Sequence, residues 1–300
     1  MAKKLRSLLL AAASRFGGLS STACAQRQEE WFTVAGVVGG RIQFDKNSGR
    51  IIDCEKTVVS AAIPSKIDGA AVLAIGEGAF EDCARLASVT LPKSVAQIGP
   101  YAFCRCGSLT SVTIPEGVKE MERAVFFDCA SLTGVVLPSS VAAIRDWAFF
   151  GCDSLVSVAV PNGVAQIGSY AFLNCTRLTE LEVAPGNRAY CSENGVLFSK
   201  DRTALLTYPG GKIGAYEIPS GVVNIEENAF YGCWGLTGVT VPKSVARIER
   251  YAFLGDAALT DIYYAGTRAQ WNAIELSRDN DSLQNAAIHY EGGGTVPLDP

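Results

Sequence analysis

The sequence feature that most constrains the fold is a 23-residue repeat. Phenylalanine, cysteine and leucine recur at this interval between Ile75 and Val183, and the pattern returns later in the chain. The repeated phenylalanines are Phe80, Phe103, Phe126, Phe149, Phe172, Phe230 and Phe253. A fixed period of about 20 to 50 residues is typical of a solenoid, in which each repeat forms one coil stacked on the last. The sequence therefore predicts stacked coils around one continuous apolar interior.

Each repeat is predicted to hold a short strand, a return segment and a tight turn. From Ser111 to Ile114, hydroxyl and apolar side chains alternate with the period of two that marks a strand with one buried face. The next residue is a proline, which ends the strand because it has no amide hydrogen for the ladder. The turn carries the motif Ala-Phe, whose side chains should point inward. We therefore expect a mainly β protein.

The rest of the chain is divided around these repeats. A solenoid needs caps, because its ends otherwise expose the apolar core and open strand edges. A Pro-Gly-Asn sequence at 185–187 breaks the repeat, and two apolar runs at 195–199 and 204–208 predict a hairpin. Thr267 is expected to cap a short helix, and Ala287–Tyr290 to form a last strand. The predicted segments are a leader at 1–28, an N-terminal β cap at 29–74, repeats at 75–183, a β-hairpin insertion at 184–217, repeats at 218–262, a C-terminal cap at 263–290 and a flexible tail at 291–300.

The leader resembles an export signal. Lys3, Lys4 and Arg6 precede a short apolar run, as in the charged and hydrophobic regions of a signal peptide. Cleavage after Ala25 is one interpretation. Lipidation of Cys24 in a loose lipobox is a second, and a disordered cytoplasmic leader is the third.

Little in the sequence indicates catalysis or a cofactor. His289 is the single histidine and lies in an apolar strand, where a structural role is expected, so nucleophile–histidine pairs and histidine-rich metal sites are disfavoured. Six cysteines share one repeat column and should point the same way, which predicts a ladder of packed thiols rather than disulfides. They are Cys83, Cys106, Cys129, Cys152, Cys175 and Cys233. We expect no enzyme activity, no cofactor and no metal.

Charge and hydropathy also limit the partners. The net charge is −4, and lysines and arginines are scattered, which argues against a nucleic-acid surface. There is no apolar run of about 18 residues or more, so no membrane-spanning helix is predicted.

Two columns of aromatic residues flank the Ala-Phe motif and are the candidate partner-binding residues. Aromatic side chains dominate many protein–protein hot spots. The alternative is that these rings only cover the edge of each coil and shield the core. The columns comprise Tyr101, Trp147, Tyr170 and Tyr251 on one side of the motif, and Phe127, Phe150 and Tyr231 on the other.

The sequence from Pro92 to Leu109 resembles the BspA-like, or treponemal-type, leucine-rich repeats. The likeness covers roughly residues 42–290 and includes the segment Tyr264-Ala265-Gly266-Thr267 with Trp271 near the end. Met121, Val125 and Asp256 depart from the repeat pattern. The resemblance implies a right-handed leucine-rich-repeat solenoid. It also implies a non-catalytic protein that is exported, displayed at the bacterial cell surface or in the periplasm, and adheres to host or extracellular-matrix proteins. An intracellular scaffold is the alternative, because the chain is rich in thiols expected to be free.

Overall fold

Each repeat folds into one coil, and equivalent strands of neighbouring coils pair in parallel. The computed structural model describes residues 30–291 and 293–297, and the leader with Cys24 lies outside them. There are about ten coils, and the fold is mainly β with almost no helix, as the sequence predicted.

The longer strands form one side of the stack. Their order follows the chain, and pairs such as Val158 with Leu181 and Val239 with Ile262 lie in register. These strands are Ser60–Ala62, Ser88–Thr90, Ser111–Thr113, Gly134–Val136, Ser157–Val160, Glu180–Val183, Gly214–Glu217, Leu236–Val241, Asp261–Tyr264 and Ala287–Tyr290.

The return segments form a second row of shorter strands. Ile75 pairs with Ile98, and Ile144 with both Met121 and Ile167. This row comprises Ala74–Ile75, Gln97–Ile98, Glu120–Met121, Ala143–Ile144, Gln166–Ile167, Asn224–Ile225, Arg247–Ile248 and Glu275–Leu276.

The Ala-Phe turns form the third side, here called the turn edge, and their phenylalanines stack through the interior. Ring centroids from Phe80 to Phe172 lie 5.2 to 5.7 Å apart with nearly parallel planes. Cys129 and Cys152 each donate a weak Sγ–H bond to the phenylalanine carbonyl of the preceding coil, at 3.1 and 3.2 Å. The nine described cysteines are free, and the repeated ones form a ladder of packed thiols, as predicted.

A hairpin-containing cap covers the first coil. Ile42–Asp45 pairs antiparallel with Glu30–Phe32 and with Arg50–Cys54, and Arg50–Cys54 then joins the second row beside Ala74–Ile75. Two smaller antiparallel pairs join Val37–Val38 to Ser60–Ala62 and Lys66–Ile67 to Ala70–Ala71.

The insertion after Val183 divides the core into two blocks. Its strands are Tyr190–Glu193, Val196–Ser199 and Ala204–Thr207, paired antiparallel in that order. Leu197 packs with the block that begins at Val34, whereas Val196 and Phe198 pack with the block that ends at Ile288. Because successive strand side chains point to opposite faces, the strand Val196–Ser199 is buried on both sides.

The described C-terminal end contains two short helices, the second-row strand Glu275–Leu276, and the strands Ala287–Tyr290 and Gly293–Pro297. Thr267 caps the helix Arg268–Trp271 with a capping box, as the sequence predicted, and a second helix spans Asp281–Asn285. Gly293–Pro297, within the segment 291–300 for which a flexible tail is expected, pairs antiparallel with Ala287–Tyr290. The physical reason is that the closing strand would otherwise present an unpaired edge.

Candidate functional site

Backbone geometry at the turn edge gives its side chains an unusual position. Two residues before each motif phenylalanine the backbone is left-handed, with φ of 58° at Tyr101 and Trp147, and 60° at Tyr170 and Tyr251. A left-handed bulky residue costs about 1–2 kcal/mol, because its Cβ crowds the following carbonyl. Gly78 occupies the equivalent position in the first repeat. The large rings are therefore present despite a backbone cost that glycine would avoid.

The predicted aromatic residues fall into two groups in the structure. Phe127 and Phe150 are buried, and their rings stack 4.8 Å apart within a small cluster that includes Leu173. Neither of the two presents a surface to a partner in this conformation. The other five rings are half-buried, and all but one of them pack against that cluster. These five are Tyr101, Trp147, Tyr170, Tyr231 and Tyr251.

Arginines lie over two of the half-buried rings. The Arg123 guanidinium carbon is 4.4 Å from the Trp147 ring centroid, and that of Arg250 is 4.3 Å from the Tyr251 centroid. Such cation–π contacts stabilise the rings and give the edge a mixed aromatic and cationic surface.

The outward threonines beside the long strands form hydrogen bonds between neighbouring coils. Thr133 donates its hydroxyl to Thr110 O at 3.0 Å, and Thr260 donates to Thr237 O at 3.2 Å. These exposed hydroxyls are therefore engaged by the preceding coil, and the large exposed side chains of this face include Val136 and Tyr263.

A cleft opens on the turn edge where the insertion interrupts the repeat. It encloses about 320 Å³ between the turn at 168–176 and the turn at 226–232, with Tyr208 and Gly210 between them. Tyr208 of the insertion takes the place of a motif phenylalanine, because its ring stacks on Phe230 at 5.1 Å and its amide donates to Ala229 O at 2.7 Å. The insertion supplies no complete Ala-Phe turn around it, so this layer of the turn edge is incomplete. Phe172 is 5 % exposed, whereas the other motif phenylalanines are fully buried. We call this feature the insertion cleft.

The insertion cleft is acidic and aromatic. Its lining contains Glu226, Glu227, Tyr170 and Tyr231, and no lysine, arginine or histidine of the described chain. Burial and the nearby Glu249 raise the pKa of Glu226, and burial raises the pKa of Tyr170 and of Tyr231. Glu226 is half-buried, and Arg247 opposes the rise in its pKa. With two carboxylates and no basic residue in its described lining, the cleft favours a positively charged ligand.

Sequence reasoning missed Asn187, which holds the start of the insertion. Its buried side chain donates to Pro161 O and Val164 O at 2.9 and 2.8 Å, and accepts from the amides of Ala189 and Tyr190 at 2.8 Å. The Pro-Gly-Asn sequence had indicated only a turn.

His289, the single histidine, makes contacts typical of a structural role. His289 Nε2 lies 2.7 Å from Asp261 Oδ1, and its ring stacks on Tyr263. Among the described residues, no group of three histidine, cysteine or acidic side chains could hold a metal ion. No helix in the described ranges is long and apolar enough to span a bilayer.

Coils of this length, with stacked phenylalanines and one row of longer parallel strands, define a leucine-rich-repeat solenoid. A family model for the BspA type leucine-rich repeat region matches residues 72–192 and 208–275 in six copies. Since these residues are more than half of the chain, the protein belongs to the BspA-type leucine-rich-repeat family.

Solved structures share this fold. The pneumococcal vaccine antigen PcpA is 20% identical with a TM-score of 0.60, over 78% of this chain and 70% of that one. A leucine-rich repeat protein from Eubacterium ventriosum is 19% identical with a TM-score of 0.51, over 78% and 72% of the two chains. A leucine-rich cell surface protein from Faecalibacterium prausnitzii is 23% identical with a TM-score of 0.49, over 85% and 99%. No curated protein matches the chain.

Proposed function

We propose that the protein is a non-catalytic binding module that is exported, held at the cell surface and adheres to host or extracellular-matrix proteins. Leucine-rich-repeat proteins are generally non-catalytic and bind proteins. The signal-like leader and the family membership support export, with Cys24 as the residue that would carry a lipid anchor.

The observation that carries this proposal is the row of large rings kept at left-handed backbone positions. Tyr101, Trp147, Tyr170 and Tyr251 are half-buried, and each occupies a conformation that disfavours a bulky side chain. Half-exposed aromatic side chains on a rigid scaffold are efficient anchors, because little conformational entropy is lost on binding.

Binding to a panel of purified extracellular-matrix proteins tests this function. Trp147→Ala and Tyr101→Ala should each weaken capture of the bound protein about tenfold or more. Thr113→Ala, on the long-strand face, is the control and should bind as the wild type. If the wild type and all three variants capture the matrix protein equally, at unchanged melting temperature, the rings do not have this role.

Surface display needs its own experiment. Protease treatment of intact cells should remove the protein, and radiolabelled palmitate should label the wild type but not Cys24→Ala. Protection from protease together with recovery in the cytosol would instead favour the intracellular scaffold. The free, buried thiols are the observation in favour of that alternative, because secreted proteins commonly pair their cysteines.

A further inference from the structure

The coil before the insertion presents unpaired amide groups at the turn edge. In the other described repeats, the motif phenylalanine donates its amide to the next coil, for example Phe149 N to Ala171 O at 2.9 Å. Even the last, Phe253, donates to the side chain of Asn280 at 2.9 Å. The amides of Tyr170, Phe172 and Asn174 have no acceptor within the described chain. The three residues that carry these amides line the insertion cleft.

On the other two sides of the same coil, the second row and the long-strand row, the insertion accepts the hydrogen bonds of the main-chain amides. Ile167 N donates to the Tyr190 hydroxyl at 3.0 Å on the second row. On the long-strand side, Leu181 N donates to Gly195 O and Val183 N to the Ser192 hydroxyl, both at 2.9 Å. Main-chain groups away from bulk water are almost always paired. Among the described residues, the turn edge is the side of this coil whose amides lack protein acceptors.

The opposite wall of the cleft carries the complementary groups. At this edge the carbonyls of each coil accept from the preceding coil, as Ser169 O does from Trp147 N at 3.1 Å. Across the cleft, Ala229 O accepts from Tyr208 N at 2.7 Å, but the equivalent carbonyls of Glu227 and Tyr231 receive no donor in the described ranges. One wall therefore offers N–H groups and the other offers C=O groups.

Size and charge limit what can fill this space. A cleft of about 320 Å³ lies near the lower end of the range for ligand pockets, about 300–1,000 Å³, and suits a few residues of peptide rather than a folded element. Glu226 and Glu227 make it acidic. An extended peptide carries carbonyls on one side, which suit the wall of N–H groups, and amides on the other, which suit the wall of C=O groups. A basic side chain on this peptide suits the acidic lining.

We propose that the insertion cleft binds an extended peptide segment bearing lysine or arginine. The peptide carbonyls accept from the amides of Tyr170, Phe172 and Asn174, and its amides donate to the two free carbonyls opposite. Its basic side chain pairs with Glu226. This is strand addition beside the incomplete layer that the insertion forms. The inference rests on the proposed function only in taking a protein as the ligand.

Amide hydrogen exchange of the full chain tests the site directly. The probe is a seven-residue peptide of alternating threonine and lysine, acetylated and amidated at its ends. Without peptide, the Phe172 amide should exchange at least about tenfold faster than that of Phe149, its paired equivalent. Saturating peptide should slow exchange at Tyr170, Phe172 and Asn174 by about tenfold. Unchanged exchange at Phe172 would overturn the proposal.

Two variants check that the cleft is where the peptide binds. A Cβ at Gly210 meets nothing closer than 3.5 Å, so Gly210→Phe can fill the cleft and should abolish both binding and protection. Gly107→Phe, where a Cβ meets nothing within 4 Å, is the matched control outside the cleft and should bind normally. Peptide binding by Gly210→Phe equal to that of the control would overturn the proposal.

Charge and ligand class are tested in the same assay. Glu226→Gln should weaken binding about tenfold, and an alternating threonine–glutamate peptide should not bind. Protection of the three amides by soluble chitin oligosaccharides but not by the lysine peptide would make this a glycan site and overturn the proposal. Tyr101→Ala, at a ring outside the lining of the insertion cleft, should leave these readouts unchanged, so failure here is distinguishable from failure of the proposed adhesion surface.

Discussion

Asp256 provides the sharpest test of how the stack is held together. It stands in the column that other repeats fill with cysteine, and it is 2 % exposed. Oδ1 accepts from Cys233 N at 2.7 Å, whereas Oδ2 is buried without a hydrogen-bond partner in the described chain. Burial raises the pKa of this carboxyl to about 8, although the Cys233 amide opposes the shift. In the unfolded chain an aspartic acid has a pKa of about 3.9.

This difference in pKa makes the stability of the protein depend on pH. The native carboxyl holds its proton more tightly than the unfolded one, so protonation favours the folded state. The contribution is complete below about pH 4 and is lost as pH rises through about 8. At about 1.4 kcal/mol per pH unit, a shift of about four units corresponds to about 5 kcal/mol.

Asp256→Asn removes the titrating group and keeps the oxygen that accepts from Cys233 N. In urea unfolding, the free energy of the variant relative to the wild type should rise by about 1.4 kcal/mol per pH unit between pH 5 and 7. Asp256→Cys restores the repeated residue and should show the same relative slope. Glu180→Gln, an exposed carboxylate, is the control and should run parallel to the wild type. Parallel curves for Asp256→Asn would refute the assignment of a buried, protonated carboxyl.

Three further predictions follow from packing and burial. Leu132→Ala removes a fully buried side chain and should reduce the free energy of unfolding by about 2–5 kcal/mol. Val136→Ala, at an exposed side chain, is the control and should change that free energy by less than about 0.5 kcal/mol. An unchanged urea midpoint for Leu132→Ala would contradict the core position of Leu132. Asn187→Ala removes four hydrogen bonds and should reduce the free energy of unfolding by about 2–4 kcal/mol. Equal melting temperatures for the variant and the wild type would contradict this prediction. Burial raises the pKa of Cys175 to about 12, so at pH 8 iodoacetamide should label the half-buried Cys191 about a hundredfold faster than Cys175. Peptide mapping after the labelling reaction is quenched at timed intervals measures the two rates. Equal labelling rates for Cys191 and Cys175 would contradict this prediction.

Much of the fold could be predicted because each repeat column has one environment throughout the stack. Phe126 and Cys129 face the same interior as their equivalents one coil away, so a single pattern specifies every layer. The Thr267 cap was also predictable, because threonine followed three residues later by glutamine is a local signal.

Other features depend on relations between distant segments and left little local signal. Phe127 and Phe150 looked like surface residues, but left-handed residues on both sides of the turn change the chain direction and bring these rings together. The strand Gly293–Pro297 depends on an edge that only the assembled stack presents. The insertion cleft likewise arises from an incomplete layer, which the sequence shows only as an irregular spacing between Phe172 and Phe230.

The strand Val196–Ser199, buried on both faces, also has a mechanical consequence. Tension applied to the two ends of a solenoid is transmitted from coil to coil through main-chain hydrogen bonds. At this boundary the turn edge contributes none from Tyr170, Phe172 or Asn174, so the load falls on the two remaining edges. Under a pulling force the molecule should therefore part first into an N-terminal and a C-terminal half, each still folded, before any single coil unravels.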